Sequence, residues 1–170
     1  MDLIIGSHVS FKKDDQLLGS VKEALSYGSD TFMFYKANRY DVKGKKILST
    51  QFKYYAVDMG LRNFVLGSYN NDLGRIFENI VYLELKNRGY NVSIGKVGEY
   101  EVDFVAKKTN ETIYYQVTQS LIDKNTYERE LRPLRLIKDN YPKYVLSMDN
   151  VLEGNNDGIK HMNIIDFLLG

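Results

Sequence analysis

The chain has 170 residues, of which 44% are hydrophobic, so it can form one domain with a sizeable core and is not a disordered chain. It has no cysteine, which excludes disulfides and thiolate metal sites. With no basic leader and no apolar run long enough for a bilayer, the sequence favours a soluble cytoplasmic protein without a membrane partner. The net charge of +1 makes no general case for nucleic-acid binding.

The first 35 residues predict a βαβ unit. Residues 3–6 form a short apolar strand, residues 14–27 have helical spacing, and residues 31–35 form a second apolar strand. In residues 5–10 and 24–35 this unit resembles the first turn of the endonuclease IV TIM barrel. The resemblance implies a fragment of that fold, because a barrel needs eight strands.

Endonuclease IV holds a cluster of zinc ions with His, Asp and Glu side chains. This chain has two histidines, His8 and His161, which are too few for such a cluster. His8 is better explained as a packed residue at a strand end. We therefore expect no abasic-site cleavage from this unit.

A basic hairpin follows, with a turn predicted at Lys43 and Gly44, and residues 53–63 then predict a short strand that runs into a helix. Between residues 36 and 53 six basic residues accompany one acid, Asp41. This excess could contact the phosphates of DNA, or the lysines could simply keep a hairpin soluble. The candidate nucleic-acid-binding residues are Lys36, Arg39, Lys43, Lys45 and Lys46.

The rest of the chain predicts a helix, a three-stranded meander, a second helix and a buried strand. The first helix starts at an N-cap, Asp72, and ends before Gly89. The meander covers residues 91–97, 98–108 and 111–119, and the second helix covers residues 123–138 with a kink near Pro133. The buried strand covers residues 143–148. A polar loop and an apolar closing element, at residues 153–158 and 163–169, complete the pattern.

Four polar positions in this part form a possible catalytic site. Glu78 lies on the first helix and Asp103 on a strand, while Gln116 and Thr118 share one face of the next strand because they are two residues apart. The oxygens of Glu78, Asp103 and Gln116 could supply a weak Mg²⁺ site. Each residue also has an ordinary explanation as a solvated or hydrogen-bonded surface group.

Helix Glu, strand Asp and then (Glu/Gln)-x-Lys is the layout of the PD-(D/E)xK nuclease superfamily, which this region resembles. Here Thr118 occupies the lysine position, so the resemblance implies a degenerate site. In active relatives that ammonium steadies the attacking water and the developing phosphoryl charge. Lys96 is the best placed substitute, and Lys86 is a weaker one.

Residues 34–170 also resemble the uncharacterised C-terminal domain of prokaryotic AAA-type ATPases. The resemblance implies a remnant wing of a winged helix at residues 36–57 and a nuclease-like domain at residues 58–170, after the endonuclease IV-like residues 1–35. No phosphate-binding loop occurs in the chain, so we expect no ATP hydrolysis. The matching segments are residues 39–45, 54–63, 77–85, 88–90, 101–105 and 140–144.

These patterns predict an α/β (α+β) fold: a mixed sheet flanked by helices, of the PD-(D/E)xK type, with an added N-terminal βαβ fragment. We expect a non-catalytic module that binds DNA or a protein partner. Two alternatives remain open: an Mg²⁺-dependent nuclease with a migrated lysine, and a fusion product without an evolved function. The sequence leaves the substrate and the oligomeric state undefined.

Overall fold

The computed structural model of the chain describes residues 4–5, 33–60, 73–150 and 157–170. In these residues the strands are β1 (Ile4–Ile5), β2 (Phe34–Asp41), β3 (Lys46–Ala56), β4 (Asn91–Val97), β5 (Tyr100–Lys108), β6 (Glu111–Val117), β7 (Lys143–Ser147) and β8 (Ile159–Asn163). The helices are α1 (Leu73–Asn87), α2 (Lys124–Arg135) and α3 (Ile164–Leu169).

The described strands form a single mixed sheet with the order β1-β3-β2-β4-β5-β6-β7-β8. Strands β3 and β2 form an antiparallel hairpin, and β2 pairs in parallel with β4. Strands β4, β5 and β6 form the antiparallel meander, while β6, β7 and β8 are parallel. The α+β class, with a mixed sheet between helices, is therefore confirmed.

Helices cover both faces of the sheet because its central strands are apolar on both faces. Helices α1 and α3 pack on one face, where Tyr55, Tyr82 and Phe104 form an aromatic group with the rings of Tyr55 and Tyr82 stacked 4.0 Å apart. Helix α2 packs on the other face through Leu131 and Leu134. Two apolar cores therefore lie on either side of the strands that carry the candidate site.

Most predicted elements between residues 36 and 148 are confirmed. The hairpin turns at residues 42–45, the meander has its two turns at residues 98–99 and 109–110, and the strand after Pro142 is present. Helix α1 ends before Gly89, whose φ of 82° suits glycine, and α2 is capped by Asp123 with Pro133 in its last turn.

Two elements differ in extent from the prediction. Strand β3 begins at Lys46 and has 11 residues, although the sequence predicted only a short strand beginning near Lys53. Strand β8 was not predicted, because only Ile159 of its five residues is fully buried and the apolar alternation is weak. The closing element, whose type the sequence left open, is helix α3.

Other predictions lie outside the described residues: the helix at residues 14–27, the N-cap at Asp72 and most of the loop at residues 153–158.

At the N-terminus, β1 pairs in parallel with β3, with Ile4 opposite Lys53. None of the helices in the described part of the chain has the length and apolarity that a bilayer crossing requires.

Candidate functional site

The candidate site is centred on a buried lysine of strand β3. The Nζ atom of Lys53 lies 3.1 Å from Oε1 of Glu78 on α1 and 2.5 Å from Oε1 of Glu101 on β5. The hydroxyl of Tyr55, two residues along the same face of β3, donates a hydrogen bond of 2.7 Å to Oε1 of Glu78. One carboxylate oxygen of Glu78 thus receives both an ammonium and a phenol.

A buried asparagine holds α1 in position for this contact. The side chain of Asn79 accepts a hydrogen bond from the backbone N–H of Ala56 at 2.9 Å and donates one to the carbonyl of Ala56 at 2.8 Å. Both bonds fix α1 against the end of β3. Glu78, the residue before Asn79, contacts Lys53 and Tyr55 from the same part of α1.

The charges around Lys53 are balanced by a second cation. Arg39 on β2 lies 2.8 Å from Glu101 through Nη2 and Oε2, and the arginine side chain is only 15% exposed. Lys53 and Arg39 therefore face Glu78 and Glu101, two cations against two anions. Such an arrangement satisfies the partly buried carboxylates from within the protein.

Asp103 lies close enough to this group to share its electrostatics. Burial raises the pKa of the Asp103 carboxyl well above its usual range, the charge of Glu78 raises it further, and Lys53 opposes both effects. Burial alone would lower the pKa of Lys53, but the carboxylates of Glu78, Glu101 and Asp103 outweigh burial and raise it. Lys53 is therefore a permanent ammonium at physiological pH.

Gln116 connects Asp103 to a second acid, Glu130 on α2. Oδ2 of Asp103 accepts a hydrogen bond of 2.8 Å from the N–H of Val117, and Oε1 of Gln116 lies 3.4 Å from the N–H of Asp103. The amide nitrogen of Gln116 donates to Oε2 of buried Glu130 at 2.9 Å. The oxygen and the amide nitrogen of Gln116 are thus both engaged within the protein.

The hydroxyl of Thr118, at the lysine position of the nuclease layout, turns toward its own loop. Its Oγ1 lies 3.5 Å from the carbonyl of Ser120, and the residue is buried. Lys96 lies opposite Glu101 in the β4–β5 ladder, and Lys86 lies 6.0 Å from the ring of Tyr35. The ammonium that contacts the acidic residues belongs to Lys53.

Sequence reasoning did not identify Lys53, Glu101 or Glu130 as members of the site. Lys53 was counted in the basic run of the hairpin, although it stands in an aromatic stretch between Phe52 and Tyr54. A lysine inside an apolar strand needs a buried partner. This requirement could have indicated from the sequence that Lys53 belongs to the site.

The basic hairpin residues differ from one another in their surroundings. Arg39 is paired with Glu101, and the Nζ atom of Lys36 lies 4.1 Å from the centre of the Phe52 ring. Lys43, Lys45 and Lys46 are exposed at the turn and at the start of β3. The turn lysines resemble the solvated basic patch that the sequence suggested, and Lys36 is exposed as well.

Groups of the protein itself already engage part of the oxygen donor set of the candidate site. Across the described ranges, no group of three or more His, Asp or Glu side chains is arranged to hold a metal ion. Oε1 of Glu78 receives both Lys53 and Tyr55, and Oε1 of Gln116 lies 3.4 Å from the backbone nitrogen of Asp103. Two of the oxygens that Mg²⁺ would need are therefore already engaged within the protein.

Two uncharacterised proteins are similar to most of the chain. A protein of Haemophilus influenzae is 39% identical over 150 residues, which are 88% of this chain and 37% of the relative. A protein of Methanocaldococcus jannaschii is 32% identical over 181 residues, which cover 96% of this chain and 38% of the relative. The chain thus spans less than two fifths of the length of these relatives.

A segment of the chain is similar to proteins named probable endonuclease 4. The Ureaplasma parvum protein of that name is 58% identical over 48 residues, which are 28% of this chain and 16% of the relative. The endonuclease IV resemblance is therefore supported for part of the chain. No family model matches the chain, and no solved structure is similar to it.

Proposed function

We propose that residues 34–170 form a PD-(D/E)xK nuclease-like domain that has lost catalysis and serves as an accessory module binding DNA or a protein within a larger, ATPase-containing protein. The observation that carries the proposal is the contact of the Lys53 ammonium with both Glu78 and Glu101. Lys53 acts as a tethered cation that neutralises the acidic site from within.

A divalent cation would have to displace this ammonium. The displaced Lys53 would remain buried without its partners, and an uncompensated buried charge is strongly destabilising. Arg39 already neutralises the other oxygen of Glu101. Mg²⁺ binding at this site is therefore disfavoured even though several carboxylates lie near one another.

The lengths of the relatives support the accessory role. In the two uncharacterised relatives more than three fifths of the chain lies outside the matched region. A module without its own catalytic site can contribute binding to a neighbouring active domain. The ATPase context itself comes from the resemblance of residues 34–170.

The alternative function is an Mg²⁺-dependent nuclease in which Lys53 replaces the lysine missing at Thr118. The position of Lys53 favours this alternative, because its ammonium contacts Glu78 and acts electrostatically on Asp103. An ammonium near those carboxylates could stabilise charge on a phosphoryl oxygen. The two functions make opposite predictions for removal of Lys53.

The deciding experiment compares wild type, Lys53→Met and the matched control Lys96→Met. Titration calorimetry with MgCl₂ and MnCl₂ measures cation affinity, and nicking of supercoiled plasmid measures cleavage. In a neutralised site the wild type neither binds nor cleaves, whereas Lys53→Met gains cation affinity because Glu78 and Glu101 lose their internal cation. Lys96→Met should behave like wild type.

Thermal unfolding with and without Mg²⁺ keeps the test valid if Lys53→Met is unstable. A cation that binds only the folded variant raises its unfolding temperature, and this rise should be absent in wild type. Cation-dependent cleavage by wild type that survives in Lys96→Met but is lost in Lys53→Met would establish the nuclease alternative instead.

A further inference from the structure

An open groove of about 680 Å³ lies where α2 ends and strands β7 and β8 begin. Its volume falls in the range of small-ligand sites, which is about 300–1,000 Å³. The groove has an apolar wall from Ile137 and Pro142 and a rim of charged side chains. It lies outside the Lys53 site and shares no lining residue with it.

The groove carries an excess of two positive charges. Four cations and two acids line it, and both acids are paired: Asp139 with Lys143 at 3.5 Å and Asp157 with Arg135 at 3.0 Å. Lys138 and Lys160 are the other two cations, and the Nζ atom of Lys160 lies 5.7 Å from the centre of the Tyr144 ring, beside the groove. Of the carboxylates that the structure describes, none lies within ion-pair distance of these two lysines.

An exposed aromatic ring completes the groove. Tyr141 is 48% exposed, and its ring packs at a tilt against Tyr114 with 6.4 Å between their centres. The hydroxyl of Tyr114 is fixed by a hydrogen bond of 2.6 Å to Asp139. Tyr141 therefore presents a ring to solvent from a supported position.

We propose that this groove binds a single-stranded nucleic acid, with one base stacked on Tyr141 and the adjacent phosphates near Lys138 and Lys160. Aromatic rings beside a positively charged groove are the combination that such strands use. A duplex keeps its bases stacked on one another, so it would offer Tyr141 no base face to stack on. The inference rests on the proposed function in that it names a ligand of the binding module.

Fluorescence anisotropy of labelled oligo-dT, with a duplex of equal length for comparison, tests the inference at several salt concentrations. Lys138→Glu with Lys160→Glu should weaken oligo-dT binding at least tenfold. Loss of two phosphate contacts should also reduce the salt slope by about 1.4. The matched control is the double reversal Lys108→Glu with Lys124→Glu, at two exposed lysines outside the groove, which should retain wild-type affinity. The double reversal Lys43→Glu with Lys46→Glu compares the basic hairpin as the rival binding surface.

Two variants separate the ring from the charges. Tyr141→Leu should weaken oligo-dT binding about tenfold with little effect on the duplex, whereas Tyr141→Phe, which keeps the ring, should bind like wild type. Absence of oligo-dT binding, equal duplex binding, or a loss confined to the hairpin variant would overturn the inference. None of these outcomes depends on the cation affinity of the Lys53 site, so the two proposals fail separately.

Discussion

Lys53 is held by carboxylates from two other elements, and its removal tests how much this contact contributes. Breaking a buried ion pair by deleting one partner typically costs about 3–5 kcal/mol. We predict a loss in that range for Lys53→Ala at pH 7, measured by urea denaturation, and a much smaller loss for Lys96→Ala. Equal losses for the two variants would contradict this role.

Gln116 and Thr118 are the two positions where the nuclease layout is incomplete. Gln116→Glu with Thr118→Lys adds a carboxylate beside Asp103 and Glu130 and an ammonium two residues away on the same strand face. We predict higher Mg²⁺ affinity by calorimetry, because each added carboxylate strengthens a hard-cation site. We also predict that the double variant slowly nicks supercoiled plasmid.

Asp103→Asn serves as the control for the double variant. Asparagine keeps the shape of the side chain and removes its charge, so the nicking should vanish. Replacing the amide of Gln116 by a carboxylate also removes the hydrogen bond to Glu130, so the double variant should be less stable without Mg²⁺. An unchanged Mg²⁺ affinity would refute the proposed geometry of the site.

Asp149 joins the loops after β6 and β7 and gives a pH-dependent prediction. Its carboxylate accepts hydrogen bonds from the hydroxyls of Ser120 at 2.8 Å and Ser147 at 2.9 Å, and from the N–H of Leu121 at 2.6 Å. Burial would raise the pKa of Asp149, but these hydrogen bonds outweigh burial and hold it below its ordinary value of 3.8.

A depressed carboxyl pKa stabilises the folded state above the unfolded pKa, and this stability is lost as the pH falls through the folded pKa. Asp149→Asn should therefore lower the free energy of unfolding at pH 7 by about 1–3 kcal/mol. The difference from wild type should shrink once the pH falls below the ordinary value of 3.8 and Asp149 becomes protonated in the folded state. Urea denaturation at a series of pH values measures this, and a difference that is independent of pH would argue against a role of the charge.

The sequence could predict that two candidate residues lie close together only where consecutive strands carry them. Asp103 and Gln116 were placed on adjacent strands by alternation, and the structure brings them together. Lys53 could not be placed, because the order β3-β2-β4-β5 is a tertiary property. Ala37, its partner on β2, is small, and we infer that it leaves a path for the long lysine side chain toward Glu101.

At the scale of elements, strand β5 contributes a central aromatic ring to the packing between the sheet and α1. Phe104 is completely buried, and its ring lies 5.7 Å from that of Tyr55 and 5.9 Å from that of Tyr82. Phe104→Ala should cost roughly 3–5 kcal/mol, because it removes a large side chain from a packed core. Ile47→Ala on exposed β3 surface is the control and should cost far less. A loss below about 1 kcal/mol for Phe104→Ala would contradict this core assignment.

The elements that the sequence predicted share a strong local pattern. The meander has alternating apolar residues and turn residues at its corners, so its three strands are defined without tertiary information. Strand β8 is different, since it is ordered by parallel pairing with β7 and by the hydrogen bond between Ser147 and His161, 2.8 Å apart. Parallel neighbours are distant in sequence and leave little local pattern.

In the whole molecule, the parallel pair of β2 and β4 joins the basic hairpin to the meander within one sheet. The ion pair between Arg39 and Glu101 links β2 to β5 and thus crosses the same junction. The hairpin contributes Arg39 and Lys53 to the acidic site, so the site requires both parts of the sheet.

A segment of the chain is similar to probable endonuclease 4, whose name raises the question of abasic-site chemistry. The matched 48 residues are 16% of the Ureaplasma parvum relative. A zinc cluster for abasic-site incision needs convergent His and carboxylate ligands, and the chain has only two histidines, His8 and His161. His161 contacts Ser147 on β7, where burial lowers its pKa. We therefore predict that the purified protein with added Zn²⁺ does not incise a duplex containing an abasic site. Zinc-dependent incision that is abolished by His8→Ala would show that the segment has kept this chemistry.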